Sequence, residues 1–124
     1  MAIDDDIRVV LKTYADALRD QDLGAALGCF TTDAAVMAQG APTAQGPAVR
    51  DLYGQIVGAA KLDIAFTVDL ILEGERPVAF IHSDGTQTDV SSGSSSTEAN
   101  REAFVFARQG GELKITHYLF NTRA

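Results

Sequence analysis

Leu62-Asp63-Ile64-Ala65-Phe66-Thr67-Val68-Asp69-Leu70-Ile71-Leu72 runs for eleven residues without a helical repeat. Leu62, Ile64, Phe66, Val68, Leu70 and Leu72 alternate with Asp63, Ala65, Thr67, Asp69, Ile71 and Glu73. A period of two places one set of side chains on each face of a strand. Upstream of Ala60 the period is helical. Ile3, Ile7, Val10, Leu11, Tyr14 and Leu18 predict a helix over 4–20. Asp4, Asp5 and Asp6 sit at its positive end. Asp22 caps a second short helix expected to run through Phe30. Pro47 opens a third, with Val49, Leu52, Tyr53, Ile56, Val57 and Ala60 on one face.

Asp33–Gln39 reads as a short strand and 40–47 as a turn region. Downstream, Gly74-Glu75-Arg76-Pro77 is a hairpin turn, Val78–Val90 a second long strand and Ser91–Ser96 a polar loop. Glu98–Arg108 and Glu112–Asn121 follow as two more strands. Three helices precede a four-stranded antiparallel meander, and segregated elements of this kind make an α+β domain. The expected architecture is a curved, mostly antiparallel sheet wrapped round the helices as a cone. Val78–Ile81 and Ala103–Phe106 are apolar on both faces. The outer face therefore needs a cover, and a homodimer is the simplest one.

Composition narrows the partners. The 124 residues carry 10 Lys+Arg against 17 Asp+Glu, a formal net charge of −7. A phosphate backbone demands clustered Lys and Arg, which are missing, so nucleic acid and anionic membranes are excluded as main partners. The acidic Met-Ala-Ile-Asp-Asp-Asp start is unlike a signal peptide, and a cytoplasmic location is expected. Cys29 is the only cysteine, so no internal disulfide forms. No Cys/His spacing suits zinc, and no glycine-rich phosphate loop occurs, so neither a metal nor a cofactor is expected.

Three segments stand out: Tyr14 through Asp22-Leu23, then Phe30-Thr31-Thr32-Asp33-Ala34, then Glu98-Ala99-Asn100-Arg101-Glu102 through Asn121. Together they resemble the nuclear-transport-factor-2-like superfamily, which includes ketosteroid isomerases and SnoaL-like polyketide cyclases. The last segment is closest to the SgcJ-type subgroup of enediyne biosynthetic clusters. The resemblance spans nearly the whole chain and implies one domain over 1–124, a cystatin-like cone and an apolar, polyketide- or steroid-like ligand. It also implies an oxyanion-donating tyrosine at Tyr14. The isomerase general base falls at Ala38 and the second oxyanion donor near Ala103 or Phe104, so isomerisation by that mechanism is not expected. In the related epoxide-hydrolase pattern Arg101 supplies the arginine, without evident partner carboxylates.

Asn100-Arg101-Glu102 is the most unusual triplet, three polar residues opening an otherwise apolar strand. If Phe104 and Phe106 line the cone, alternation turns Asn100 and Glu102 inward with them and Arg101 outward. A carboxylate there is either a tuned acid or base or half of a structural ion pair. His82 ends the run Val78–Ile81 and is a second acid–base candidate, its alternative being a hydrogen-bonded sheet residue. Tyr14 is the third, against core packing. A ligand is expected to meet Asn100, Phe104, Tyr118, Phe30, Met37 and Tyr53. His117, grouped by alternation with Ile115 and Leu119, belongs to the outer face. Cys29 reads as a small buried hydrophobe. The domain is then an enzyme on an apolar small molecule, a non-catalytic carrier, or a protein-association module with a filled cavity.

Overall fold

A computed structural model describes residues 2–123. Its elements are α1 (Ile3–Arg19), α2 (Leu23–Leu27), β1 (Phe30–Ala38), β2 (Ala44–Gln45), α3 (Pro47–Ala59), β3 (Ala60–Leu72), β4 (Val78–Asp89), β5 (Ser95–Gln109) and β6 (Glu112–Thr122). The six strands form one sheet in the order β2-β1-β6-β5-β4-β3. The meander β3–β6 is antiparallel throughout, whereas β1 joins β6 in parallel. The protein is thus an α+β cone, three helices on a curved and mostly antiparallel sheet. No described helix is long and apolar enough to cross a membrane.

Local chemistry accounts for most boundaries. Asp4, Asp5 and Asp6 occupy the first turn of α1 and Arg19 its last, each sign at the dipole end that favours it. The Asp22 carboxylate accepts from the Ala25 amide at 3.0 Å and caps α2. Pro47 starts α3 behind Gly46, whose φ of +57° suits glycine.

Several expected boundaries shift, each for a tertiary reason. The second helix stops at Leu27 rather than reaching Phe30, because the next residues are claimed by β6. The Ile115 amide donates to the Cys29 carbonyl at 2.7 Å, and Phe30 pairs with Ile115. The expected strand 33–39 accordingly begins at Phe30. The turn region 40–47 contains β2, where Ala44 and Gln45 pair with Val36 and Ala35. The serine loop is shorter than expected, since Ser95, Ser96 and Thr97 continue the ladder opposite Thr88, Gln87 and Thr86.

Two bulges change the phase of alternation. The β3–β4 register shifts between Val68 and Leu70. Leu62, Ile64, Phe66 and Val68 face the helices as expected, but Leu70 and Leu72 turn outward at 52% and 50% exposure and Ile71 turns in. The β5–β6 register shifts between Val105 and Phe106. Ile115 and Tyr118 therefore both point inward while His117 between them is exposed. An extra residue in one strand of a pair does this and sharpens the bend. Gly85 marks a third point of curvature. A Cβ there would lie 2.8 Å from the Asp63 carbonyl oxygen, closer than real side chains approach. The strand crosses its neighbour so tightly that only glycine fits.

Candidate active site

Cross-strand register arranges the inner wall of the sheet in rows. Ala79, Phe104 and Tyr118 form one row across β4, β5 and β6. Ile81, Glu102 and Phe120 form the next, and Ser83, Asn100 and Thr122 the one after. The wall changes from aromatic to polar along the strands, and Glu102 stands at the change.

The helices supply the opposite wall. Tyr14 from α1 packs against Phe30, Tyr53, Phe66, Phe104 and Tyr118, with ring centroids 5.9–6.2 Å away. Four of these five contacts are edge-on, the arrangement that ring quadrupoles favour. Phe104 and Tyr118 stack at 4.0 Å. The Tyr14 and Tyr53 hydroxyls lie 2.6 Å apart. Tyr14 is also hydrogen-bonded to Tyr118, so two of the three phenol protons are spent among these oxygens and one is left to donate elsewhere. Burial pushes all three phenols above their ordinary range, and the nearby Glu102 charge pushes the same way.

Glu102 is 5% exposed. Its Oε1 accepts a 2.5 Å hydrogen bond from the Ser83 hydroxyl, and its Oε2 has no partner. An unpartnered buried acceptor costs about 1–3 kcal/mol, and more when charged. The carboxyl escapes part of that cost by holding its proton. Burial raises its pKa from 4.5 to about 7, against the Ser83 hydrogen bond; Glu98 adds to the rise and His82 opposes it. Desolvation therefore outweighs the single hydrogen bond. A group of this kind can give or take a proton near neutral pH.

The interior brings together Glu102, Tyr14, Tyr53, Tyr118, Phe104 and Phe30, with Asn100 half-buried one row further out. His82 and Met37 lie elsewhere. His82 occupies the opposite phase of β4 and faces outward, its Nδ1 2.8 Å from an Asp69 carboxylate oxygen. Met37 is 41% exposed on the outer side of β1, because Val36 before it is fully buried and the next residue of a strand turns to the other face. Arg101 is exposed, and Glu102 pairs with Ser83 rather than with it. Ser83 itself was readable: it follows Ala79 and Ile81 at a spacing of two, hence on the same inner face. Cys29 is buried near the end of α2, with its thiol pushed up to about 11 by burial while Lys114 pulls it down.

Two surface depressions are distinct from this interior. A cleft of about 410 Å³ between α1 and the β5–β6 turn is lined by Val9, Val10, Cys29 and Leu113, beside the Arg108–Asp6 ion pair. A groove of about 370 Å³ on the outer sheet face is lined by Asp69, Phe80, His82, Arg101 and Arg123. Ile81 and Glu102 also border that groove. The register nevertheless places the Glu102 side chain in the inward row with Ile81 and Phe120, on the cone side of the sheet.

No protein-family model and no curated protein matches the sequence. Solved structures match over nearly its full length. A ketosteroid isomerase-like protein from Erwinia carotovora atroseptica superposes with a TM-score of 0.84, at 20% identity, over 95% of this chain and 94% of its own. A hexachlorocyclohexane dehydrochlorinase gives 0.81, at 14% identity, over 95% and 83%. A nuclear transport factor 2-like superfamily protein from Salmonella enterica serovar Typhimurium gives 0.79, at 17% identity, over 95% and 89%. The chain has the cone fold of the ketosteroid isomerase-like and nuclear transport factor 2-like proteins.

Proposed function

We propose that the cone binds an apolar small molecule of polyketide- or steroid-like bulk and that Glu102 moves a proton on it. The observation that carries this reading is the Glu102 carboxyl, buried among aromatic rings with one oxygen on Ser83 and the other unpartnered. Chain folding alone gives no reason to leave that oxygen without a donor. A ligand group set against it supplies one. The one spare phenol proton of the Tyr14, Tyr53 and Tyr118 cluster is the natural donor to an oxygen that gains negative charge as the proton leaves. Asn100, in the next row, would hold the ligand's polar end. The titration range of the carboxyl, about 7, fits a base that also returns the proton.

A second reading, carriage without chemistry, has its own support: Ala38 stands where the isomerases of this fold hold their general base. One experiment separates the two. β-Tetralone is incubated with the protein in deuterium oxide, and exchange of the protons next to its carbonyl is followed by NMR. Proton abstraction predicts exchange above the buffer rate, lowered roughly 10²–10⁴-fold by Glu102→Gln. Binding with exchange at the buffer rate would select the carrier.

The outer face supports pairing with a second copy of the chain. Met37, Leu119, Ala103, Phe80 and Leu70 lie in one continuous register row across five strands. Four of these five are exposed at 40–52%. A row of this length facing water is better covered by a partner. A cytoplasmic setting and SgcJ-type chemistry stay part of the proposal.

A further inference from the structure

We infer that the ligand of the cone carries a protonated amine, which is placed against the free oxygen of Glu102. This rests on the cone reading above and adds the charge of the ligand to it.

Among the described residues no lysine or arginine is set against this carboxyl, and the one cation whose charge acts on it, His82, does so weakly against burial. It contains ten Lys and Arg residues and two histidines. Eight of the ten are exposed, and Lys114 and Arg123 are half-buried. Lys114 acts on Cys29, at the far end of β6 from Phe120, the residue opposite Glu102. Arg123 donates to Asp84 at 2.6 Å. His82 is held by Asp69 on the outer face, and His117 is exposed. The inward neighbours of Glu102 across the strands are Ile81 and Phe120, both apolar. A second carboxylate, Glu98, lies at the same phase of β5 two rows further out, and its charge acts on Glu102. The surroundings of Glu102 are therefore acidic, with only the outward-held His82 acting against that charge.

The rings strengthen the case. Aromatic faces carry partial negative charge and attract ammonium groups, most strongly where water is excluded. Phe104 and Tyr118, stacked on each other one row from Glu102, and Tyr14 edge-on beside them make an aromatic surround for a carboxylate whose free oxygen accepts one more hydrogen bond. A charge-assisted bond from an ammonium is about twice as strong as a neutral one. An anionic ligand would meet the charge of Glu102, with that of Glu98 behind it. The net charge of −7 draws cations and repels anions before contact.

Three indole probes of similar shape test this: tryptamine, tryptophol and indoleacetate. The chain has no tryptophan, so indole emission belongs to the probe, and fluorescence anisotropy reads binding directly. Tryptamine is expected to bind about tenfold or more tighter than tryptophol, the margin of a charged hydrogen bond over a neutral one, with indoleacetate weakest. Glu102→Gln is expected to erase the gap between tryptamine and tryptophol by weakening tryptamine about tenfold or more. Should that variant fail to fold, Glu102→Asp, which keeps the charge and withdraws it, must weaken tryptamine selectively. Equal binding of amine and alcohol, or a gap that survives Glu102→Gln, would overturn the inference while leaving the cone site standing. If none of the three probes binds, the cone reading fails and this inference with it.

Discussion

Glu102 is the residue on which the account depends, and its energetics run against the usual role of a carboxylate. A salt-bridged acid stabilises its fold as pH rises; this one does the reverse. Its pKa is about 7 in the folded protein against an ordinary 4.5, so the folded state holds the proton more tightly than the unfolded chain. The stability it confers is complete below about pH 4.5 and is lost as pH rises toward 7. The loss is roughly 3 kcal/mol. The groups facing it do not reverse the sign: Ser83 donates to it, Glu98 repels its charge, the tyrosines stay neutral, and His82 acts only from the outer face. Gln at 102 cannot titrate. Glu102→Gln is therefore expected to gain stability over wild type progressively between pH 5 and pH 7, by about 2–3 kcal/mol at the upper end. Urea denaturation at several pH values measures it, and parallel pH profiles for the two proteins would contradict it. The position was legible because a charged residue in the inward phase of an apolar strand is rare. The unpartnered oxygen was not, since it depends on what four other elements bring to the same place.

Between elements, the Tyr14–Tyr53 hydrogen bond ties α1 to α3 inside the core. Removing one hydroxyl strands the other without water, which costs about 1–3 kcal/mol. Removing both leaves two phenylalanines and no orphan within the pair. Tyr14→Phe and Tyr53→Phe should each destabilise by about 1–2 kcal/mol, and the double variant by no more than Tyr14→Phe alone. Thermal or chemical denaturation of the four proteins closes the cycle, and additive losses would show that the bond is not what holds the pair. The sequence placed both tyrosines on apolar helix faces but could not bring together residues 39 positions apart. The same boundary separates what was readable elsewhere. Helix spans and the long β3–β6 meander follow from local period and turn chemistry. The parallel β1–β6 pairing, the two bulges and the resulting reversals at Leu70, Leu72 and Ile115 arise from partners distant in sequence. His82 and Met37 fell on the outer side for a related reason. An apolar run on both faces gives no local sign of which face the helices will take.

At the scale of the whole molecule, one sheet serves two purposes. Its inner face builds the cone, and its outer face carries the apolar row from Met37 to Leu70. Sedimentation at micromolar concentration is expected to find a dimer, with an interface of roughly 1,600 Å². Phe80→Glu, which puts a charge in the middle of the row, should shift it to monomer, and a wild-type monomer would remove the reason given for the exposed row. The cone itself rests on a single claim, that it encloses one ionisable carboxyl and withholds solvent from it. The most direct measurement is an NMR titration of the glutamate carboxyls, labelled with carbon-13 in wild type and in Glu102→Gln. The chain has only five glutamates, so each curve can be followed. One carboxyl should titrate near pH 7 and be missing from the variant. A wild-type protein in which every glutamate titrates near 4.5, the ordinary value, would contradict the account.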